Sequence, residues 1–481
     1  MAHPQTDAEL GHALAGLLAD PGGDGPARVD GLHRLTGGAS RDTWAFDVVD
    51  ATGNRRPLIL QRIRPGLAMG GPSLATEDAL LRAAERVGVP VPTVVADAAS
   101  AAPFVGEARV TAHVDGETLG PRIVRDERYT AARAHLAAQC GRALAAVHSI
   151  NPAEVAGLEP VDTLGRLREG LDLLGEARPA FELALRWLAA HRPPPGPVSV
   201  VHGDFRVGNL IVDESGLRAV LDWELAHLGD PLEDLGWLCV RAWRFGGSGE
   251  VGGVAPLADL LAAYGEARGV EVDPEDVRWW IAAGTLTWGL ICAVQARRHL
   301  DGHVRSVELA TIGRRVCETE YDLLQLLGVP APIGQPGEQV APPEPVSDDA
   351  PTEPTADEPG LHGRPTAAEL VDAVRGHLAD AIAPELSGAA AFHLRVAGNA
   401  LAMVERELRL GPAIATAQAE RFDALGFADE VALAAAIRAG ELEGRVDVAE
   451  AVRAAVADRV RVANPQWLEP PDRPGEAEIS R

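Results

Sequence analysis

Lysine is absent from this chain of 481 residues, so all 44 basic residues are arginine. Positive charge is scarce overall: 70 Asp and Glu leave a formal net charge of -26. A surface of that sign repels a phosphate backbone and an anionic bilayer, and the expectation is no nucleic-acid and no membrane partner. Cysteine is sparse as well. Cys140, Cys239, Cys292 and Cys317 lie far apart, with no CxxC pair to hold zinc and no dense disulfide framework. Long uncharged apolar runs are missing, and Met1-Ala2-His3-Pro4-Gln5-Thr6-Asp7 has neither a basic nor an apolar signal region. These absences predict a cytoplasmic chain with reduced thiols. With 46% hydrophobic and 24% charged residues, neither a disordered nor a fibrous reading fits the whole chain.

Residues 331–360 hold eight prolines, seven Asp or Glu and no basic residue. Proline stiffens such a segment, like charges extend it, and little apolar surface offsets the entropy of ordering it. The expectation is a disordered acidic linker over 331–364. Beyond it, Thr366-Ala367-Ala368-Glu369 reads as a capping box that starts a helix toward Pro384. Helical runs follow over Phe392–Leu410, Pro412–Leu425, Asp429–Ala439 and Val446–Val462, an all-α domain spanning 365–481. His393, Arg395, Asn399, Glu405 and Arg406 read there as a solvated face or a satisfied network. No catalytic motif lies in this tail, so residues 1–330 are expected to act without it.

The first 330 residues have another rhythm. A helical opening precedes strand-like Trp44–Val49 and Leu58–Ile63, an amphipathic helix over Leu74–Val87, and extended Val89–Val95 and Ala108–Val114. Helices dominate from about Arg122. The chain is therefore expected to be α+β: a sheet lobe over 1–115, a helical lobe over 116–330, and a cleft at their hinge.

The strongest local signal is His202-Gly203-Asp204-Phe205-Arg206-Val207-Gly208-Asn209, with Asp222 following in Leu221-Asp222-Trp223-Glu224. Short β-like segments flank these residues, so a loop and a hairpin can present Asp204, Asn209 and Asp222 to one point. Mg²⁺ takes oxygen ligands, typically one or two carboxylates plus water and phosphate oxygens, which Asn209 and Asp222 can supply. Asp204 then remains to accept a proton from an attacking hydroxyl.

With these residues the chain resembles the aminoglycoside phosphotransferase and choline kinase-like superfamily. The downstream Gly229-Asp230-Pro231-Leu232-Glu233-Asp234-Leu235 is similar to its GDPxxDL signature. The resemblance implies a two-lobed protein-kinase-like fold, ATP and Mg²⁺ as cofactors, and a small-molecule alcohol as acceptor. It also implies that Asp204 and His202 belong to the catalytic loop, Asp204 as the base and His202 as a brace with Asp230, that Asn209 and Asp222 bind the metal, and that Asp230 and Asp234 are structural. Gly37, Gly38 and Ser40, where the backbone can approach phosphates, match the nucleotide loop. A phosphate-binding cation is expected on the following strand, paired to a helix Glu. Without lysine the candidates are Gln61, Arg62 and Arg64; Gln61 and Arg62 fall on opposite faces by strand alternation, and Arg62 with Glu77 is favoured. By resemblance, Thr111 and Val114 belong to the hinge that would hold adenine.

Arginines with interleaved Trp follow: Arg241, Trp243, Arg244, then Arg297 and Arg298. Guanidinium groups suit phosphate or carboxylate, which tilts the acceptor toward an anionic alcohol and away from polycationic aminoglycosides. Taken singly, each of these arginines reads as a helix-surface group paired with the acidic excess; the cluster as a whole carries the tilt. The RxWRFG run at 241–246 and the GRRVxExExDLL run at 313–324 resemble the kinase-like domains of certain acyl-CoA dehydrogenases, which implies a hydroxyacyl-CoA-type acceptor. The tail resembles a domain of unknown function found beside such kinases. An aminoglycoside or choline-type kinase, and a nucleotide-binding pseudokinase or scaffold with a protein partner on the tail, are the alternatives.

Overall fold

Period-two burial builds the N-terminal sheet. The structure is a computed structural model that describes residues 7–18, 28–35, 41–50, 52–63, 71–97, 107–330 and 364–473. Helix α1 (Asp7–Leu17) precedes β1 (Arg28–Arg34), β2 (Arg41–Val49) and β3 (Arg55–Ile63). Then come α2 (Leu74–Arg86), β4 (Val94–Ala96) and β5 (Ala108–Ala112), giving an antiparallel sheet in the order β1-β2-β3-β5-β4. Trp44, Phe46, Val48, Leu58, Leu60, Ala108 and Val110 line one face and are covered by Leu10 and Leu14 of α1. The other face carries Thr43, Gln61, Arg109 and Thr111 by alternation. The extended run expected over 89–95 shrinks to three residues, because Pro90 and Pro92 have no N–H to give a ladder.

Helices α3 (Gly120–Arg125) and α4 (Thr130–Val147) follow, then α5 (Thr163–Leu174) and α6 (Pro179–Ala190). The strands β6 (Ser199–Val201), β7 (Leu210–Asp213), β8 (Gly216–Val220) and β9 (His227–Gly229) precede α7 (Leu232–Cys239), α8 (Leu257–Arg268) and α9 (Pro274–Leu300). The chain divides into two units, Met1–Asp162 with Pro193–Gly284, and Thr163–Arg192 with Thr285–Arg481. The first holds the sheet lobe and a helical core in which Leu136, Cys140 and Leu144 of α4 pack with Phe205, Trp223, Leu235 and Tyr264.

The second unit contains α5, α6, the rest of α9, α10 (Val307–Ile312), α11 (Val316–Leu326), α12 (Ala367–His377), α13 (Gly388–Ala424), α14 (Glu430–Ala439) and α15 (Val446–Ala463). The capping box forms: the Thr366 hydroxyl accepts from Glu369 N–H, and the Glu369 carboxylate accepts from Thr366 N–H. The two helices expected on either side of Pro412 are one, α13, with the proline inside it.

The division expected at 331–364 is not where packing divides the chain. Ala180 of α6 and Cys317, Tyr321 and Leu324 of α11 share one core with Phe422, Leu433, Ile437, Val452, Val456 and Val460. Polar groups reinforce it: Tyr321 donates to Asp472 (2.6 Å), Trp467 to Asp322 (2.9 Å) and Asn464 to Glu318 (2.9 Å). Neither set of helices closes its apolar face alone, so they merge. Residues 331–363 lie outside the described residues. Helix α9 is long and apolar enough to cross a bilayer by composition, yet 72% of its most apolar window is buried inside the protein, as in a core helix.

Candidate active site

The loop from His202 to Asn209 leaves β6 and enters β7, and one backbone bond closes it onto β8. Leu221 N–H donates to the Asn209 carbonyl (2.8 Å), which sets Asp222 beside that loop. Gly203 (φ 80°) is required, since a Cβ there would overlap the Leu225 carbonyl oxygen. Asp222 has φ 65°, a left-handed conformation that costs a non-glycine residue free energy and is concentrated at functional sites. Among the described residues its carboxylate makes no hydrogen bond or ion pair.

The Asp204 side chain is only 13% exposed. Its Oδ2 accepts from Asn209 Nδ2 (2.6 Å), and its Oδ1 accepts from Trp237 Nε1 (2.8 Å) and Arg206 Nε (3.0 Å). Burial pushes the Asp204 carboxyl above its ordinary value; Asp222 adds to this, and the Arg206 charge, Trp237 and His202 oppose it. A base must be ionised to work, so the acid limb of kcat/KM is expected above the usual aspartate range. A pH profile whose acid limb stays near pH 4, the usual range for a free aspartate, would count against Asp204 as the base.

His202 does not face the reacting position. Its buried ring accepts from Asp204 N–H at Nδ1 (3.2 Å) and sets Nε2 against the Leu221 carbonyl (3.0 Å), a tautomer that follows from the network. Burial lowers its pKa, consistent with a neutral ring. This geometry fits His202 as a brace of the loop, the role the resemblance implies, rather than as a group that exchanges a proton with substrate. Asp234 is the second brace. Its Oδ2 accepts from His202 N–H (2.8 Å) and His148 Nε2 (3.0 Å), its Oδ1 from Gly203 N–H (2.9 Å), and His148 Nδ1 meets the Tyr264 hydroxyl (2.9 Å). Burial works to raise the Asp234 pKa, but the hydrogen bonds from His148 and the His202 amide are among the interactions that outweigh it and lower it. Asp230 accepts from Leu232 N–H (2.9 Å) and Gly196 N–H (3.2 Å). His148, a lone helix histidine, carried no signal in the sequence.

Sheet register settles the phosphate side. Asp42 pairs with Arg62 and Thr43 with Gln61, so Arg62 falls on the α1 face, 4.9 Å over the Trp44 ring and 3.7 Å from Asp42. Glu77, fully buried on α2, takes other partners. The Arg41 guanidinium donates to both of its oxygens, and Arg109 Nη1 lies 3.1 Å from Oε2. The favoured Arg62–Glu77 pair is thereby corrected, because the one-residue alternation turns Arg62 away. Arg109 sits opposite Gln61 and donates to its Oε1 (2.9 Å). Arg41 also lies 3.5 Å from Glu224, two residues past Asp222. Burial lowers the Arg41 pKa, but the Glu77 charge and hydrogen bond and the charges of Asp222 and Glu224 outweigh it, so the group is held charged. Gly37, Gly38, Ser40 and Arg64 lie outside the described residues. Thr111 is buried on β5, and Val114 is half-buried just beyond it. That segment is tied to β7 by paired backbone bonds between Glu117 and Val212 (2.8 and 3.0 Å).

The four candidate acceptor arginines fall into different units. Arg241 and Arg244 stand in the first, after α7, and Arg244 donates to the Cys239 carbonyl (3.1 Å). In the second unit Arg297 donates to the carbonyls of Leu173 and Leu174 at the end of α5, a helix-capping use, and Arg298 donates to Gln295 (3.2 Å). These bonds give Arg297 a structural reading in place of a substrate one.

A five-stranded antiparallel lobe, a helical lobe, a buried loop aspartate and an Asn/Asp pair are the parts of a kinase-like phosphotransferase. Residues 31–280 match the phosphotransferase enzyme family. The chain belongs to that family. This phosphotransferase carries at 384–467 a second match, to a domain of unknown function. It is 45% identical over 64 residues to mouse acyl-CoA dehydrogenase family member 10, covering 13% of this chain and 6% of that protein. To human acyl-CoA dehydrogenase family member 11 it is 27% identical over 159 residues, covering 30% and 20%. The chain thus spans a fifth or less of these relatives. Among solved structures, one from Ralstonia eutropha, assigned only provisionally as an aminoglycoside phosphotransferase, has a TM-score of 0.50 and 23% identity over 64% of this chain and 95% of that one. This likeness shows the kinase-like fold.

Proposed function

We propose that this phosphotransferase is an ATP- and Mg²⁺-dependent kinase of a small anionic alcohol, and that it is cytoplasmic. The observation that carries the reading is Asp204 hydrogen-bonded to Asn209, with the Asp222 carboxylate, unpaired among the described residues, beside them. Asp204 takes the proton of the acceptor hydroxyl as its oxygen bonds to the γ-phosphorus. The bond from that phosphorus to the bridging oxygen breaks, and ADP leaves with the electron pair. Asn209 turns Nδ2 to Asp204, which leaves Oδ1 for a cation, and Asp222 supplies a carboxylate; this donor set fits Mg²⁺, which would neutralise phosphate charge when bound. Arg41, clamped by Glu77 and next to Glu224, takes the place of the missing lysine toward the nucleotide. Likeness to the acyl-CoA dehydrogenase relatives and the arginines after α7 support an acceptor such as a hydroxyacyl-CoA. A cytoplasmic location is supported by the four cysteines, all free and buried.

The test is Mg²⁺-dependent ADP release with hydroxyacyl-CoAs, other hydroxy acids, sugars, choline and aminoglycosides. Turnover confined to aminoglycosides or choline would replace the anionic acceptor, and nucleotide binding without any turnover would favour a pseudokinase. Calorimetry tests the metal and the cation: Asp222→Ala and Arg41→Met are each expected to weaken Mg²⁺-ATP by about tenfold or more, a loss of about 1.4 kcal/mol. Unchanged affinity in Asp222→Ala would remove that residue from the metal site.

A further inference from the structure

Arg206 stands two residues after the base and is half spent. Its Nε donates to Asp204 Oδ1 (3.0 Å), and its guanidinium lies 4.9 Å over the Trp243 ring. Among the described residues neither Nη nitrogen has a hydrogen-bond partner, and the side chain is 27% exposed. Gly208 gives it room, since a Cβ there would overlap Nη1. A guanidinium fixed in plane by an aromatic ring, with its fork open, is a receptor for carboxylate or phosphate.

We propose that Arg206 and Trp243 form an anion subsite for the acceptor, and that filling it frees Asp204 to act as a base. This rests on the kinase reading and narrows it. Asp204 Oδ1 is occupied by the Arg206 and Trp237 donors, so no lone pair on it faces an acceptor hydroxyl. An anion on the open fork competes for the guanidinium and draws it from Oδ1, which leaves that oxygen open to the acceptor hydroxyl. Because Arg206 touches the base itself, the anionic group must lie only a few bonds from the reacting hydroxyl. The acceptor class is then an alcohol with a nearby carboxylate or phosphate. A neutral or polycationic alcohol leaves Arg206 on Asp204.

Inorganic phosphate is the probe, titrated into the full chain by calorimetry with and without saturating Mg²⁺-AMP-PNP. Saturable binding is expected in both cases, weakened about 10- to 100-fold in Arg206→Met, as expected for hydrogen bonds to a charged group. Arg206→Lys should fall between, since it keeps the charge and loses the fork, and it serves if Arg206→Met does not fold. Absence of saturable binding, or equal binding in the variants, would overturn the subsite. Displacement of phosphate by AMP-PNP would overturn its acceptor role and assign Arg206 to the γ-phosphate. Failure of AMP-PNP to bind at all would sink the kinase reading, and the acceptor role with it, while the phosphate titration would still report on Arg206.

Discussion

Asp204→Ala and Asp204→Asn are expected to lower kcat about 10²- to 10⁴-fold, the usual worth of a positioned base, with nucleotide affinity little changed. In the proposed mechanism the acceptor oxygen meets Asp204, whereas Asn209 and Asp222 would hold the cation, so binding and chemistry should separate. Of the two variants Asn is the cleaner, since it keeps the volume beneath Trp237 and Arg206. Single-turnover ADP formation and nucleotide calorimetry on the same samples check both halves. A rate within threefold of wild type would remove Asp204 from the role of base.

The second large effect concerns truncation. A fragment ending at residue 330 is expected to aggregate or to lose the fold of α5, α6 and α11, although the sequence reads as a kinase that ends there. The cut removes Val452, Val456, Val460 and Leu468 from the core around Tyr321 and Leu324. It also strips Asp472 from Tyr321 and Arg459 from the buried Glu320. Each lost large apolar side chain costs about 2–5 kcal/mol, and breaking a buried ion pair about 3–5 kcal/mol. A domain has only about 5–15 kcal/mol to lose. Size-exclusion chromatography and thermal melting decide it. A monomeric fragment with a native-like melt and undiminished activity would show that the tail is dispensable.

Within the site, legibility followed chemistry. Asp204, Asn209 and Asp222 were readable because phosphoryl transfer needs those side chains within one loop and hairpin, so their spacing is local. Asp230 and Asp234 were readable with them, and their bonds to backbone N–H groups give the reason. His148 and Trp237 were not, because a histidine ending α4 and a tryptophan on α7 belong to no motif and read as buried core residues. The strand pattern showed that Gln61 and Arg62 face opposite ways without showing which way. A shift of one residue exchanges the faces, and only the pairing of β3 with β2 and β5 settles it.

By itself, then, the sequence determined the α+β kinase-like class, the meeting of Asp204, Asn209 and Asp222 at one loop and hairpin, and the capped helix at Thr366, since each depends on local spacing or a single turn. Only the tertiary structure decided that Glu77 is clamped by Arg41 and Arg109, that Arg206 stands with an open fork beside the base, and that the tail shares a core with α6 and α11. Those outcomes depend on which apolar faces bury one another and which buried charges must then find partners. The residues involved are up to hundreds of positions apart, where no pattern in the chain reaches.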